Sequence, residues 1–471
     1  MRAAQRRVAV RNGAVVAWEA DRHKVLPRAD VVIEGDRITD VCASAAGRFD
    51  DELDAAGMLV VPGFVNIHTH ATDTAFTRDY LEESSGPKDF GNLYRILPAV
   101  RNATLAEDAC AGAAALFVEA LLSGTTTIVE LGYDRELAGS ADLDNAHAVA
   151  EIAIGVGLRC YTAPRFRKGY WRGDASGNVA YHDYPDHGRS RMEACIRYCR
   201  EVDGRHDGRL RAMLAPGQVD TCDEDMLRET RRVARATGLP IQLHAGQSPT
   251  EFRRIKATQD VSTIRFLERA GLLGPDLIIG HGMFLAQSSD VGMIPRDELA
   301  ALSESGTSIG HLPWVKMRQG TLLNSYAKFL HAGVNVALGT DTHPFDMIHE
   351  MRMAAIGCKL AEQSQQATTA MQAFELATVN GARALKRSDL GRIAPGCKAD
   401  LVLVDLGSPR AAGYQDPMKY LVYNGDGNDV HTVLVDGLVV VRGGKPLHAD
   451  VREIVARMNE AKKRVVSRLQ L

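Results

Sequence analysis

PGFVNIHTH (62–70) is the stretch that decides how this chain is read. An apolar run ends in polar residues, as a buried strand does where it meets a cavity. Side chains two apart on a strand point the same way, so His68 and His70 aim two imidazoles into one space. In a barrel of parallel strands the chemistry gathers at the C-terminal strand ends. A lone histidine there is as often a satisfied polar residue; His-x-His after Pro-Gly reads as part of a metal site.

Seven further strand candidates follow: TTTIVELG (125–132), GLRCYTAP (157–164), LRAMLAPG (210–217), LPIQLHAG (239–246), DLIIGHG (276–282), GTSIGHLP (306–313) and VNVALGTDT (334–342). Helical stretches such as EDMLRETRRVARATG (224–238), STIRFLERAG (262–271) and NSYAKFLHAG (324–333) lie between them. Apolar strands alternating with helices indicate a parallel sheet. Eight repeats fit a closed (β/α)8 TIM barrel in the α/β class, with an open doubly wound sheet as the alternative. No GxGxxG follows the first strand, so no dinucleotide site is expected.

The two ends resemble each other more than they resemble the middle. ADVVIEGDRITDV (29–41) and LDAAGMLVVPG (53–63) read as short strands, as do ADLVLVDL (399–406) and VHTVLVDGLVVVRGGKPL (430–447). Asp436-Gly437 is a hairpin signal. The expected organisation is a composite β-sandwich from 1–63 plus 386–449, a barrel over 64–385, and a C-terminal helix over 450–471. That helix is expected on the outside of the protein or against a partner subunit.

Composition narrows the function. The 471 residues carry 56 Lys plus Arg against 59 Asp plus Glu, a net charge of −3, without the basic excess of many nucleic-acid binders. No apolar run approaches the ~20 residues of a membrane helix. The 8 cysteines form no CxxC pair, which suits free thiols in a reducing cytoplasm. His244, His281 and Asp341 end the fifth, sixth and eighth strand candidates. With His68 and His70 they make a convergent set of imidazoles and one carboxylate. That set suits zinc, iron, cobalt or manganese.

PGFVNIHTH (62–70), QLHAG (242–246), GHGMF (280–284) and GVNVALGTD (333–341) together resemble the amidohydrolase superfamily. NGARALKRSDLGRIAPGCKADLVLVD (381–405) resembles its return into the small β-domain. The nearest branch is that of cytosine-deaminase-like enzymes, chlorohydrolases and guanine deaminases. The resemblance implies metal ligands at His68, His70 and His244. It implies that Asp341 binds the metal and handles the proton of the attacking water, and that His281 hydrogen-bonds that water or the reacting group. The binuclear branches place a carboxylated lysine at the fourth strand end; AMLAPG (212–217) has none, so one divalent ion is expected, zinc first. Such an ion activates water near neutral pH. No organic cofactor is expected.

The chain departs from the branch in two places. Deaminases of this branch usually carry glutamate three residues after the fifth-strand histidine, where this chain has Gln247, which cannot transfer a proton as a carboxylate does. This favours a urea, carbamate, thiocarbamate or amide substrate, and aryl-urea or thiocarbamate hydrolases fit. Deamination or dehalogenation of a pterin, purine, pyrimidine or triazine is the alternative, and a non-catalytic binding barrel the third reading. Glu251 is expected to be a solvated loop carboxylate. The second departure is HLPWVKM (311–317), which puts Trp314 and Lys316 where small polar residues are usual.

Gln247, Trp314, His343 and Tyr94 are the candidate substrate contacts, and Phe76, Tyr80 and Phe90 share the loop of Tyr94. The 164–191 segment, rich in Arg and aromatic residues, fits a lid over the barrel mouth. The expected partner is a small, partly apolar molecule, with neither nucleic acid nor membrane, in a homo-oligomeric enzyme.

Overall fold

A computed structural model describes residues 6–72, 74–80, 91–132, 143–174, 176–285, 296–322 and 325–469. Phe90 lies outside the described residues. All eight barrel strands form where the apolar runs place them: Phe64–Thr69, Thr125–Leu131, Arg159–Ala163, Leu210–Ala212, Ile241–Ala245, Leu277–His281, Ser308–His311 and Val336–Leu338. Seven of the eight are buried along their whole length, as strands covered on both faces must be. This explains why the runs are continuously apolar rather than alternating.

The eight strands fall into two four-stranded parallel sheets, the first four strands in one and the last four in the other. Among the described residues no continuous ladder joins the two sheets. Each seam is held by isolated bridges, Thr69 with Asp341 at one and Leu214 with Ile241 and Gln218 with His244 at the other. At the first seam Asp341 N donates to His68 O at 2.9 Å and His70 N donates to Asp341 O at 3.0 Å. The Asn66 side chain adds two bonds there, donating to Thr340 Oγ1 and accepting from Thr340 N.

Both chain ends feed one nine-stranded sheet. Met58–Pro62 from the first end pairs antiparallel with Leu401–Asp405 from the second. Val430–Val435 and Leu438–Arg442 form the expected hairpin, with Asp436 and Gly437 both at positive φ (49° and 74°) as a tight two-residue turn requires. The sheet is fastened to the barrel by Arg159, whose buried guanidinium reaches Asp436 at 2.6 Å and Asp400 at 3.2 Å.

The C-terminal helix Val451–Arg468 starts at Asp450, whose side chain caps the N–H groups of Arg452 and Glu453. It packs on helix Ala106–Leu122, with Ala461 and Val465 buried and Arg464 and Arg468 on the buried carboxylate of Asp108. No helix among the described residues is long and apolar enough to cross a membrane.

Candidate active site

The five residues named from the strand ends converge. His68, His244 and His281 each offer a ring nitrogen, and His68, His70 and Asp341 each offer a ligand atom; within each trio these atoms lie within 4.8 Å of one another. His68 Nε2 is 3.4 Å from Asp341 Oδ1, and His70 Nε2 is 3.5 Å from the same oxygen. The backbone turns sharply at two of these positions, with φ of 75° at His281 and 59° at Asp341. Left-handed backbone at non-glycine residues costs roughly 1–3 kcal/mol each, and such strain collects at functional sites.

The hydrogen bonds around the imidazoles fix which nitrogens face the centre. His244 Nδ1 donates to Gly217 O at 2.6 Å, and His70 Nδ1 donates to Leu131 O at 3.3 Å. Both rings then present an Nε2 lone pair, and these two nitrogens stand 2.9 Å apart. Facing lone pairs at that distance repel unless a cation lies beside them. Gln242 Nε2 lies 2.6 Å from His68 Nδ1, while Gln242 Oε1 has no hydrogen-bond partner among the described residues. With the amide turned over, Oε1 accepts from His68 Nδ1–H, and the buried His68 Nε2, which makes no hydrogen bond among the described residues, keeps its lone pair. Among the described residues neither ring nitrogen of His281 has a hydrogen-bond partner.

Burial pushes His70, His244 and His281 well below the usual imidazole pKa, so all three are neutral and keep a lone pair to give. Nitrogen and carboxylate donors of this kind suit a borderline divalent ion. His68, His70, His244 and Asp341 fit as its ligands, with His281 beside them.

The surrounding residues hold the ligands in place. Glu130, a carboxylate in an otherwise apolar and threonine-rich strand, accepts from Thr69 Oγ1 and Ala71 N at 2.9 Å each and so fixes the turn carrying His70. Glu251 is fully buried, contrary to the expectation of a solvated loop. It accepts from Gly246 N at 2.5 Å, and from Gln247 N and Gln218 Nε2 at 3.1 Å each. Desolvation, reinforced by the nearby Asp220, pushes its carboxyl up to about 8. It clamps the turn after the fifth strand rather than facing solvent.

Two lobes open from the centre and share Thr74, Leu93, Leu97, Gln247, Asp341 and Thr342. One is lined by His70 and His244 together with buried Arg101, Arg165, Arg167 and Trp171. The other is lined by Thr77, Tyr80, Ile96, Val315 and Gln319 among others. Gln247 faces both, and Lys316 Nζ donates to its backbone carbonyl at 2.9 Å.

The other three candidate contacts are not among the residues lining these two lobes. Tyr94 is buried, shares a 2.7 Å hydrogen bond with Ser248 Oγ, and packs edge-on to Trp171. Trp314 packs edge-on to His349 at 4.6 Å between ring centroids, while its backbone N–H donates to Glu350. His343 Nε2 accepts from Arg318 at 3.2 Å. Of the lid segment, Gly169–Gly173 and Val179–Asp183 form a hairpin, and Tyr181 Oη donates to Asp220 Oδ2 at 2.6 Å.

Imidazoles and a carboxylate gathered at the C-terminal ends of parallel strands define a metal-dependent hydrolase. The model of the amidohydrolase family matches residues 59–440, and this chain belongs to that family. Among curated relatives, a 5'-deoxyadenosine deaminase of Methanothermobacter thermautotrophicus is 32% identical over 89% of this chain and 90% of its own length. A 5-methylthioadenosine/S-adenosylhomocysteine deaminase of Haloarcula marismortui is 32% identical over 88% of this chain and 89% of its own.

Solved structures share the fold. An adenosine deaminase from Xanthomonas campestris with bound zinc superposes with a TM-score of 0.84 at 22% identity, covering 98% of each chain. Atrazine chlorohydrolase from Arthrobacter aurescens TC1, complexed with zinc, superposes with a TM-score of 0.79 at 21% identity, covering 97% of this chain and 100% of the other. The TIM-barrel fold and hydrolytic enzyme class expected from the motifs therefore stand.

Proposed function

We propose that this protein displaces an exocyclic amino group, or a comparable leaving group, from an N-heterocycle by hydrolysis. The convergence of His68, His70, His244, His281 and Asp341 on one centre carries the reading. Relatives that deaminate adenosine derivatives support the heterocycle over the urea, carbamate or thiocarbamate first favoured by Gln247. The proposal includes a closed barrel over 64–385 and a composite β-sandwich over 1–63 plus 386–449. It also takes the enzyme as a cytoplasmic homo-oligomer using one divalent ion, zinc first.

The His68, His70, His244 and Asp341 side chains would hold a divalent ion, which would supply Lewis-acid activation of water. Asp341 would take a proton from the water that attacks the ring carbon and return it to the departing amine. His281, held neutral by burial, offers one N–H to the developing negative charge. Gln247 faces both lobes and orients the ring through its carboxamide. It cannot protonate a ring nitrogen, so the best substrates are rings electron-poor enough to be attacked without that proton. The same residue keeps the urea and carbamate reading in second place, since those substrates need no ring protonation.

A panel of adenosine derivatives, pterins, triazines and phenylureas, scored for ammonia and other leaving groups, tests the proposal. Turnover of phenylureas alone would replace it with the second reading. Asp341→Asn should retain the folded barrel and lose roughly 10²–10⁴-fold in turnover, the usual share of a general acid–base group. Near-wild-type turnover in that variant would remove Asp341 from the mechanism.

A further inference from the structure

The loop after the first barrel strand walls the second lobe with Thr74, Thr77 and Tyr80. It rests on helix Ala106–Leu122, where Phe76 is buried and Gly112 makes room for it: a Cβ at Gly112 would stand 2.6 Å from Ala75 Cβ. The C-terminal helix Val451–Arg468 lies on the same platform, pinned through Asp108. Burial against Arg464 and Arg468 makes this a firm joint, and Asp108 is fully buried there.

The joint brings Lys462 onto the loop. Its ammonium donates to Phe76 O at 3.2 Å, pairs with Asp79 at 2.8 Å and stands 5.1 Å from the centroid of the Tyr80 ring. Three kinds of acceptor within five consecutive residues engage one side chain that is itself only 26% exposed. The Asp79 pair alone is worth little, because that carboxylate is 71% exposed. The carbonyl bond and the cation over the Tyr80 ring hold the backbone and the wall residue directly.

We infer that Lys462 is a positioning residue for the substrate cavity, through which the C-terminal helix sets the wall formed by Thr74, Thr77 and Tyr80. The inference rests on the reading that this lobe receives the substrate. Lys462 touches no reacting atom, so its loss acts on substrate binding rather than on the chemical step. Held in place, the wall residues lose less freedom when substrate arrives, and binding gains by that saving.

The test is Lys462→Met in the full-length protein loaded with zinc, with Lys462→Arg as the conservative variant. KM for a substrate from the panel should rise roughly three- to tenfold, with kcat within about twofold, and Arg should restore most of it. Unchanged KM in Lys462→Met overturns the inference. Amide exchange over residues 74–80 is read in parallel and should speed up roughly three- to tenfold in Lys462→Met, without global destabilisation. If no panel compound is turned over by the wild type, the functional reading fails on its own. Exchange then decides, and unchanged exchange overturns the positioning role.

Discussion

Gly280 precedes His281 on the sixth barrel strand, and its missing side chain makes room for His68. A Cβ placed there would lie 2.5 Å from His68 Cε1 and 2.8 Å from His68 Nδ1. Carbon atoms in contact prefer about 3.5–4.0 Å, so Gly280→Ala must move the imidazole by roughly 1 Å. The ring has little room to retreat. Gly339 on the far side comes so near that a Cβ there would meet the His68 backbone at 2.9 Å, and the Gln242 carboxamide holds Nδ1 at 2.6 Å.

Misplacing a ligand by that much should weaken metal affinity roughly 10- to 100-fold, or about 1.4–2.8 kcal/mol. Overpacking should cost the metal-free protein about 1–3 kcal/mol more. The assay is zinc affinity by chelator competition, with the urea midpoint of the metal-free protein measured beside it. Gly310→Ala is the control, because its Cβ would meet the flexible end of Ile67 at 2.9 Å rather than a ligand. Zinc affinity in Gly280→Ala within twofold of wild type would refute the placement of His68.

Other expectations follow from the same geometry. Gln247→Glu restores a carboxylate at the cavity and should raise deamination of adenosine derivatives by roughly 10²-fold; a fall in that rate would count against the orienting role of this position. Arg159→Met strands the buried Asp400 and leaves Asp436 to Lys398 at 3.1 Å, so unfolding free energy should drop by about 3 kcal/mol, with a loss below about 1 kcal/mol contradicting the joint. Burial holds His311 down to about 3, so the unfolded chain binds its proton first on acidification. Its contribution is complete above the ordinary histidine range and is lost from about pH 6.5 downward by roughly 1.4 kcal/mol per pH unit, which urea midpoints against pH in wild type and His311→Gln would reveal.

The strands were legible because burial on both faces leaves an unbroken apolar run, and the ligands because polar residues end those runs. What the chain order hides is which strands meet. The 68–341 seam could not be read from local pattern, nor could Gly280 as the space for a histidine on another strand. Gln242 looks like an ordinary strand residue until His68 is placed against it. Glu251 carried a local signal that went unused. Ser248-Pro249-Thr250-Glu251 has the spacing of a helix start, and Ser248 does cap Glu251 N at 3.1 Å. Tyr94 and Trp314 share the aromatic character of pocket residues, yet their positions depend on Ser248, Trp171 and His349, distant in sequence.

The ligand set takes His68 and His70 from the end of one four-stranded sheet and His244 and Asp341 from the other. Neither half-barrel holds a complete set alone. Metal affinity should therefore gauge how well the two halves are docked, since a bound divalent ion would tie together two sheets that no continuous ladder joins among the described residues. Substitutions at Asn66 or Leu214, seam residues outside the ligand set, should register first as faster metal loss, before the protein as a whole becomes easier to unfold.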